Sequence, residues 1–435
     1  MAHSARRLIV PLLALLSLFP ALMARGQGPA EASWTLNAIQ VAGSSRFADA
    51  QILAATGLEI GSRVLKSDLD NAATKLLATG AFAKVGYSYQ TRGDGMAVTF
   101  QVTDAARFLP CVFDNFVWFS DAQLLRAVQL SVPLFDGSIP ESGGLADDVS
   151  VALDKLLTAN GIPGEASYLK QGNLGESATA FLFQVQGSVP AVSAVQFTNG
   201  PLDAALFADG SELLLGKPYS RTLAEGVADK TFASVYANHG YLRAKFAEPK
   251  LTILPGSTAG DPGSVALAFT VEAGTQFHWA GLAWNGNQAC SEQVLNPLVT
   301  LKFGDIAAAD KISGVWAAVE DLYGEKGYLT AAVRPTPKFD ETSAQVQYSV
   351  AITEGPQYRM GYLRVDAATD DLAQKLRAAW ELKPGDVYNS HYVKTYVQLA
   401  GRAMVRAGAA RSGQLNVSNT LVPETQTVDV IVTFK

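Results

Sequence analysis

The chain has 435 residues, 48% of them hydrophobic and 17% charged, with a formal net charge of −6. That length exceeds what one core serves and suits several domains of roughly 80–100 residues each. The acidic balance argues against a general nucleic-acid binder, which needs a basic face for phosphates. Two cysteines in separate parts of the chain, Cys111 and Cys290, are expected as free buried thiols rather than as a disulfide framework.

At the start, Arg6 and Arg7 precede an apolar run from Leu8 to Met23, followed by Ala24, Arg25, Gly26, Gln27 and Gly28. A charged start, an apolar middle and a small-residue end predict a cleavable secretory signal peptide over residues 1–28. The run is short of the ~20 residues a bilayer-spanning helix needs. No later stretch is apolar enough to span a membrane as a helix, so the mature chain is expected to have no helical membrane span.

Residues 34–41 form an extended apolar run that ends at Gly43, and residues 47–53 begin a short helix. Residues 117–119 with 120–125, and residues 282–284 with 291–295, echo that opening. A longer helix follows. In its clearest copy Ser67 and Asp70 have capping-box spacing, and Leu69, Ala72, Ala73, Leu76 and Leu77 make one apolar face. Thr222 with Glu225 supplies the same spacing further on. The apolar face recurs as Val149, Ala152, Leu153, Leu156 and Leu157, as Ile312, Val315, Trp316, Val319 and Tyr323, and as Val393, Tyr396, Val397, Ala400 and Met404.

Each longer helix is closed by a glycine: Gly80, Gly161, Gly240, Gly327 and Gly408, spaced 81, 79, 87 and 81 residues apart. Glycine takes the left-handed conformation of a helix end without a Cβ penalty. A period of this kind outranks any local motif as evidence of architecture. After each glycine come two extended runs. The closing one alternates with period two, as in Val98, Phe100, Val102 and in Val346, Tyr348, Val350, Ile352. Pro249, Pro335 and Pro337 fall in the run before it, which marks that strand as an open sheet edge.

The expected fold class is therefore α+β: five tandem β-α-α-β-β modules, each a three-stranded mixed sheet with two helices on one face. Their boundaries are predicted at 33–104, 105–188 (a degenerate copy), 189–273, 274–354 and 355–435. Linkers of a few residues imply a curved rod with limited hinging.

Ile39-Gln40-Val41-Ala42-Gly43, Leu58 with Gly61, and Leu76 with Gly80 and Phe82 carry a resemblance to the POTRA domain. Five copies behind a signal peptide resemble the periplasmic part of the BamA family of outer-membrane assembly factors. The resemblance implies unfolded or extended outer-membrane proteins as partners and a periplasmic location peripheral to the outer membrane. In that family a β-barrel follows the last POTRA unit, whereas this sequence ends with the fifth closing strand. Barrel-dependent insertion is therefore not expected of this polypeptide alone, and a separate β-barrel outer-membrane protein becomes a candidate partner.

No catalytic constellation stands out. The four histidines are His3, His239, His278 and His391, and His239 precedes a helix-closing glycine, where a cation is favourable. Motifs for hydrolase nucleophiles, zinc proteases and phosphate loops are missing from the sequence, and no cofactor or metal is expected. Trp279, Trp284, Trp316 and Trp380 have spacings that favour core packing over a binding groove. What remains is binding by backbone: an open edge offers unpaired N–H and C=O groups to an extended peptide. The candidate edges are residues 85–89 (Val85, Tyr87, Tyr89) and 245–251 (Lys245, Phe246, Leu251). A structural spacer that holds partners through its terminal modules is the alternative.

Overall fold

A computed structural model of the chain describes residues 32–172, 175–187, 189–256, 262–406 and 414–434, with the side chains of 402–406 left aside. The predicted signal peptide, Met404 as a face residue and the closing Gly408 lie outside the described residues.

The first module runs β1 (Ser33–Ala42), α1 (Asp49–Thr56), β2 (Arg63–Leu65), α2 (Lys66–Ala78), β3 (Phe82–Arg92) and β4 (Gly95–Asp104). The second repeats it as β5 (Phe108–Phe113), α3 (Asp121–Gln129), β6 (Ser138–Pro140), α4 (Leu145–Ala159), β7 (Glu165–Gln171) and β8 (Ala180–Gln186). The third has β9 (Ala191–Thr198), α5 (Ala208–Glu212), α6 (Arg221–Val227), α7 (Ala233–Asn238), β10 (Lys245–Phe246), β11 (Lys250–Leu254) and β12 (Ser264–Glu272). The fourth has β13 (His278–Asn285), α8 (Glu292–Leu295), α9 (Ala309–Glu325), β14 (Ala332–Asp340) and β15 (Gln345–Thr353). The fifth has β16 (Arg359–Ala367), α10 (Asp370–Ala378), α11 (Tyr392–Arg406), β17 (Leu415–Val422) and β18 (Thr427–Phe434).

Where the register is given, the first strand of a module pairs parallel with the last, and the penultimate strand pairs antiparallel with the last. The mixed α+β module is as the alternation predicts. Modules 1 and 2 carry an added three-residue strand, β2 and β6, on the far side of the first strand. In the other three modules it shrinks to a single bridge, at Pro218, Ile306 or Val387.

Core residues follow the helix and strand periods. Leu69, Ala72 and Leu76 of α2 are buried with Val98, Phe100 and Val102 of β4, whereas Leu77 is 48% exposed and lies off the buried face. Trp279 and Trp284 pack in the fourth core with half-buried Trp316 beside them, and Trp380 packs in the fifth. The tryptophans are core residues rather than a groove.

The helix starts differ from their sequence reading. β2 runs straight into α2, so the N-cap is Leu65, whose N–H donates to Asp68 at 2.8 Å. Asp70 is left free for another bond, described below. In the third module the cap is Ser220, which accepts from the Leu223 N–H at 3.1 Å, while the Thr222 N–H turns to Asp114 at 2.7 Å. Asp114 also explains the largest difference. The first strand of the second module is Phe108–Phe113, and residues 117–119 form a turn.

Residues 113–120 belong to the compact unit that holds Gln184 onward, together with Pro163–Glu165. The other unit is made of residues up to Val112, Asp121–Ile162 and Ala166–Phe183. Within its unit the strap is fixed by two buried polar residues. Asp114 accepts from Ser220, Thr222 and Gln184, and the Asn115 amide exchanges two bonds with the Val185 backbone. Val117 joins the core of Phe207 and Phe232. Charges this deep persist only when such bonds satisfy them.

The closing glycines Gly80, Gly161, Gly240 and Gly327 all have positive φ. Three of them also meet a neighbouring module. A Cβ on Gly80 would strike Ser142 O, beside the place where the Gly144 and Leu145 amides at the start of α4 donate to Ala78 O and Thr79 O at the end of α2. Unpaired groups of two helix termini thus satisfy one another. At Gly240 and Gly327 the contact is another kind. The Phe277 N–H donates to Gly240 O at 2.8 Å, and the Gln276 side chain donates to His239 O at 2.9 Å. One module later the Tyr358 N–H donates to Gly327 O at 2.7 Å, and Gln357 donates to Lys326 O at 2.9 Å.

Candidate polypeptide-binding strand edges

Sheet order puts β3, β7, β14 and β17 outermost, and β10 with β11 lie along successive stretches of β12, on the side away from β9. In every sheet the penultimate strand is an edge.

On β3, Val85, Tyr87 and Tyr89 stand opposite Val102, Phe100 and Val98, which are buried. Residues directly opposite in a ladder share a face, so these three side chains lie on the helix-covered side. The Tyr87 hydroxyl donates to Asp70 of α2 at 2.5 Å. Desolvation first, and then this bond to a carboxylate, push the Tyr87 pKa up to about 12. Tyr89 stacks beside Tyr87 at 6.4 Å and lies 6.3 Å from half-buried Trp34, while staying 39% exposed. On the other side of β3, Lys84, Gly86, Ser88, Gln90 and Arg92 are exposed.

The second candidate edge is arranged otherwise. Phe246 stands opposite buried Val271 and packs on Phe232, Tyr236 and Phe269, and Leu251 stands opposite Leu267. Lys245 alone points the other way, across from Glu272. Between β10 and β11 the ladder slips by one residue, because four steps from Phe246 to Lys250 face three from Val271 to Ala268. Pro249 lies within this slip. The structure therefore separates the two candidate groups: one lines a single strand of 11 residues whose register shift lies at its start, between Phe82 and Lys84, the other a two-residue and a five-residue piece.

One relation was not visible in the sequence. The first strands of modules 1, 3 and 4 end at Gly43, Asn199 and Gly286, all with positive φ. Two residues earlier, Val41, Phe197 and Trp284 pair with Phe100, Phe269 and Val350. The edge residues opposite Phe100 and Val350 are Tyr87 and Pro335. Two positions further along the edge, Tyr89 corresponds to Pro337. Tyrosine and proline thus share one register slot. In module 2 the bond is repeated, with the Tyr168 hydroxyl donating to Asp147 of α4 at 2.7 Å.

Among the described residues no group of three or more His, Cys, Asp or Glu side chains is placed to hold a metal, and no helix is long and apolar enough to cross a membrane. His239 caps α7, with Nδ1 2.8 Å from Val235 O, and His391 lies between Asp321 and Glu325 of α9.

Parts of the chain are similar to known proteins. A Treponema pallidum (strain Nichols) protein described as a candidate outer membrane protein assembly factor is 24% identical over 211 residues. That match covers 47% of this chain and only a quarter of the relative's length. Among solved structures, POTRA domains 3–5 of Haemophilus influenzae BamA match at 20% identity and a TM-score of 0.40, over 57% of this chain and 96% of that one. BamA from Haemophilus ducreyi lacking POTRA domains 1–3 matches at 22% identity and a TM-score of 0.29, over 37% of this chain and 29% of that one. The POTRA family, described as surface antigen variable number repeat, matches residues 278–355, the fourth of these tandem POTRA-like modules.

Proposed function

We propose that this chain is a non-enzymatic scaffold in outer-membrane protein assembly or transport. It is exported by a cleaved signal peptide to the periplasm, where it binds extended or unfolded outer-membrane polypeptides by strand addition. A β-barrel outer-membrane protein is a further partner in this reading. The observation that carries it is the sheet order: the penultimate strand is outermost in all five sheets, so a row of main-chain donors and acceptors recurs in each module. Main-chain pairing tolerates sequence, which suits a client range. The POTRA match and the assembly-factor relative support the setting.

The test is titration of the full chain with extended outer-membrane peptides against the same peptides carrying N-methyl groups on one edge. Saturable binding that N-methylation abolishes supports the reading; equal binding of both forms sinks it. A second reading, a spacer, is favoured by one observation. The Gln276 and Gln357 bonds fix modules 3, 4 and 5 to one another. In-frame replacement of module 3 by another module of equal length would leave a spacer working and disable a binder.

A further inference from the structure

We propose that the edge of β3 in module 1 is the chain's principal strand-addition site. Its occupant is an extended segment of another polypeptide with apolar, preferably aromatic, residues alternating with polar ones. This inference rests on the strand-edge reading and narrows it to one module and one sequence pattern.

The first step is which edges can accept a strand. Proline is tolerated in a sheet only where its nitrogen faces away from the ladder. Pro335 and Pro337 lie within the continuous β14–β15 ladder, so their slots face outward and the outer edge of β14 lacks two donors. In module 3 the ladder slips between Phe246 and Lys250, with Pro249 inside the slip, and this shortens the edge. Both devices blunt an edge against pairing. Tyr87 and Tyr89 fill those slots in module 1, so their N–H groups face outward and are intact.

The second step is what the site reads. Side chains of an added strand fall about 5 Å from those of β3 on each face. On the helix side they would meet Tyr87 and Tyr89, the latter partly open and backed by Trp34 of β1, two strands in from the edge. On the other side they would meet exposed Ser88 and Gln90, with Lys84 and Arg92 at the two ends. Apolar residues on one face and polar or acidic ones on the other match both sides. Module 2 shares the tyrosine at Tyr168, but two residues on it presents Lys170 in place of a second aromatic.

The probe is a capped peptide of about nine residues, the length of a strand, alternating Val and Tyr with Thr and Asp. A scrambled peptide of the same composition serves as control. The full chain should bind the alternating peptide, and Tyr87→Pro with Tyr89→Pro, which copies module 4, should weaken it roughly tenfold or more by removing two pairing donors. Tyr89→Ser should reduce the preference for the alternating over the scrambled peptide. Because the prolines could unfold module 1, a second measurement keeps the native strand. Gln90→Cys should trap a cysteine-bearing probe as a mixed disulfide in glutathione buffer, and Lys338→Cys on β14 should not. Binding unchanged by the proline pair, or equal trapping at both cysteines, overturns the module 1 assignment while leaving strand addition standing elsewhere. A chain that binds no alternating peptide at all overturns both.

Discussion

Modules 1 and 4 have the same strand register, yet they differ at the two places where a module meets something else. The aromatic that opens module 4, Phe277, is fully buried, held by Gly240 and backed by Gln276. Its counterpart Trp34, likewise eight residues before the paired end of the first strand, is half-buried and leans on Tyr89. On the edge, module 4 has Pro335 and Pro337 where module 1 has Tyr87 and Tyr89. Topology gives every module an edge, but the residues in the outward slots decide whether that edge can be used. In the proposed reading the same fold is therefore a joint in one place and a binding surface in another.

The largest effect is expected at the joint. Gly240→Ala puts a Cβ at φ +85°, 2.9 Å from Phe277 O and from the Ile306 side chain. Backbone strain and the clash together should cost about 2–3 kcal/mol. Gly61→Ala, also at positive φ but facing open space, should cost about 1 kcal/mol. Amide exchange of Phe277 reads the first change locally, and a loss no greater than that of Gly61→Ala would show that the joint is not closed there.

Next comes the edge. Pro335→Val with Pro337→Val restores two outward donors to β14, and the modified chain should take up a second strand of the alternating probe. Unchanged stoichiometry in calorimetry would mean that proline is not what closes module 4. Smaller again are Gln276→Ala and Gln357→Ala, each removing one side chain–carbonyl bond, about 1 kcal/mol. Both should loosen modules 3–5 without altering peptide affinity at module 1.

The smallest effect is at Tyr87. Tyr87→Phe removes the bond to Asp70 and should cost about 0.5–1 kcal/mol. Because the folded chain raises this phenol to about 12, it favours the protonated form. The contribution is complete below pH 10 and is lost as pH climbs from 10 toward 12. A difference titration in the ultraviolet should show one late phenol missing from the variant.

Much of this was legible in the sequence because glycine and alternation report backbone geometry directly. Gly80, Gly161, Gly240 and Gly327 close helices where the period placed them, and the prolines marked the edges. What the period hid is that the same glycine serves different neighbours. Gly161 faces open space, while Gly240 and Gly327 also bear the next module's backbone. The α2 cap was misplaced by two residues because strand β2 feeds directly into α2, and a capping box read from spacing alone cannot see that. Residues 117–119 look like a strand, but Asp114 and Asn115 draw that stretch into a turn by bonds to residues some 70 to 108 positions away. Five of the six candidate edge residues turned out to face the helix side, leaving only Lys245 on the other face. Side-chain identity had located the edges, whereas the outward amides that matter needed the register.

The most direct test is hydrogen–deuterium exchange of the full chain with and without the alternating peptide, read at individual amides. If module 1 takes the strand, the Tyr87 and Tyr89 amides become protected while β14 stays as it was. Protection appearing on β14 or β17 and not on β3, or none anywhere at saturating peptide, would contradict the account.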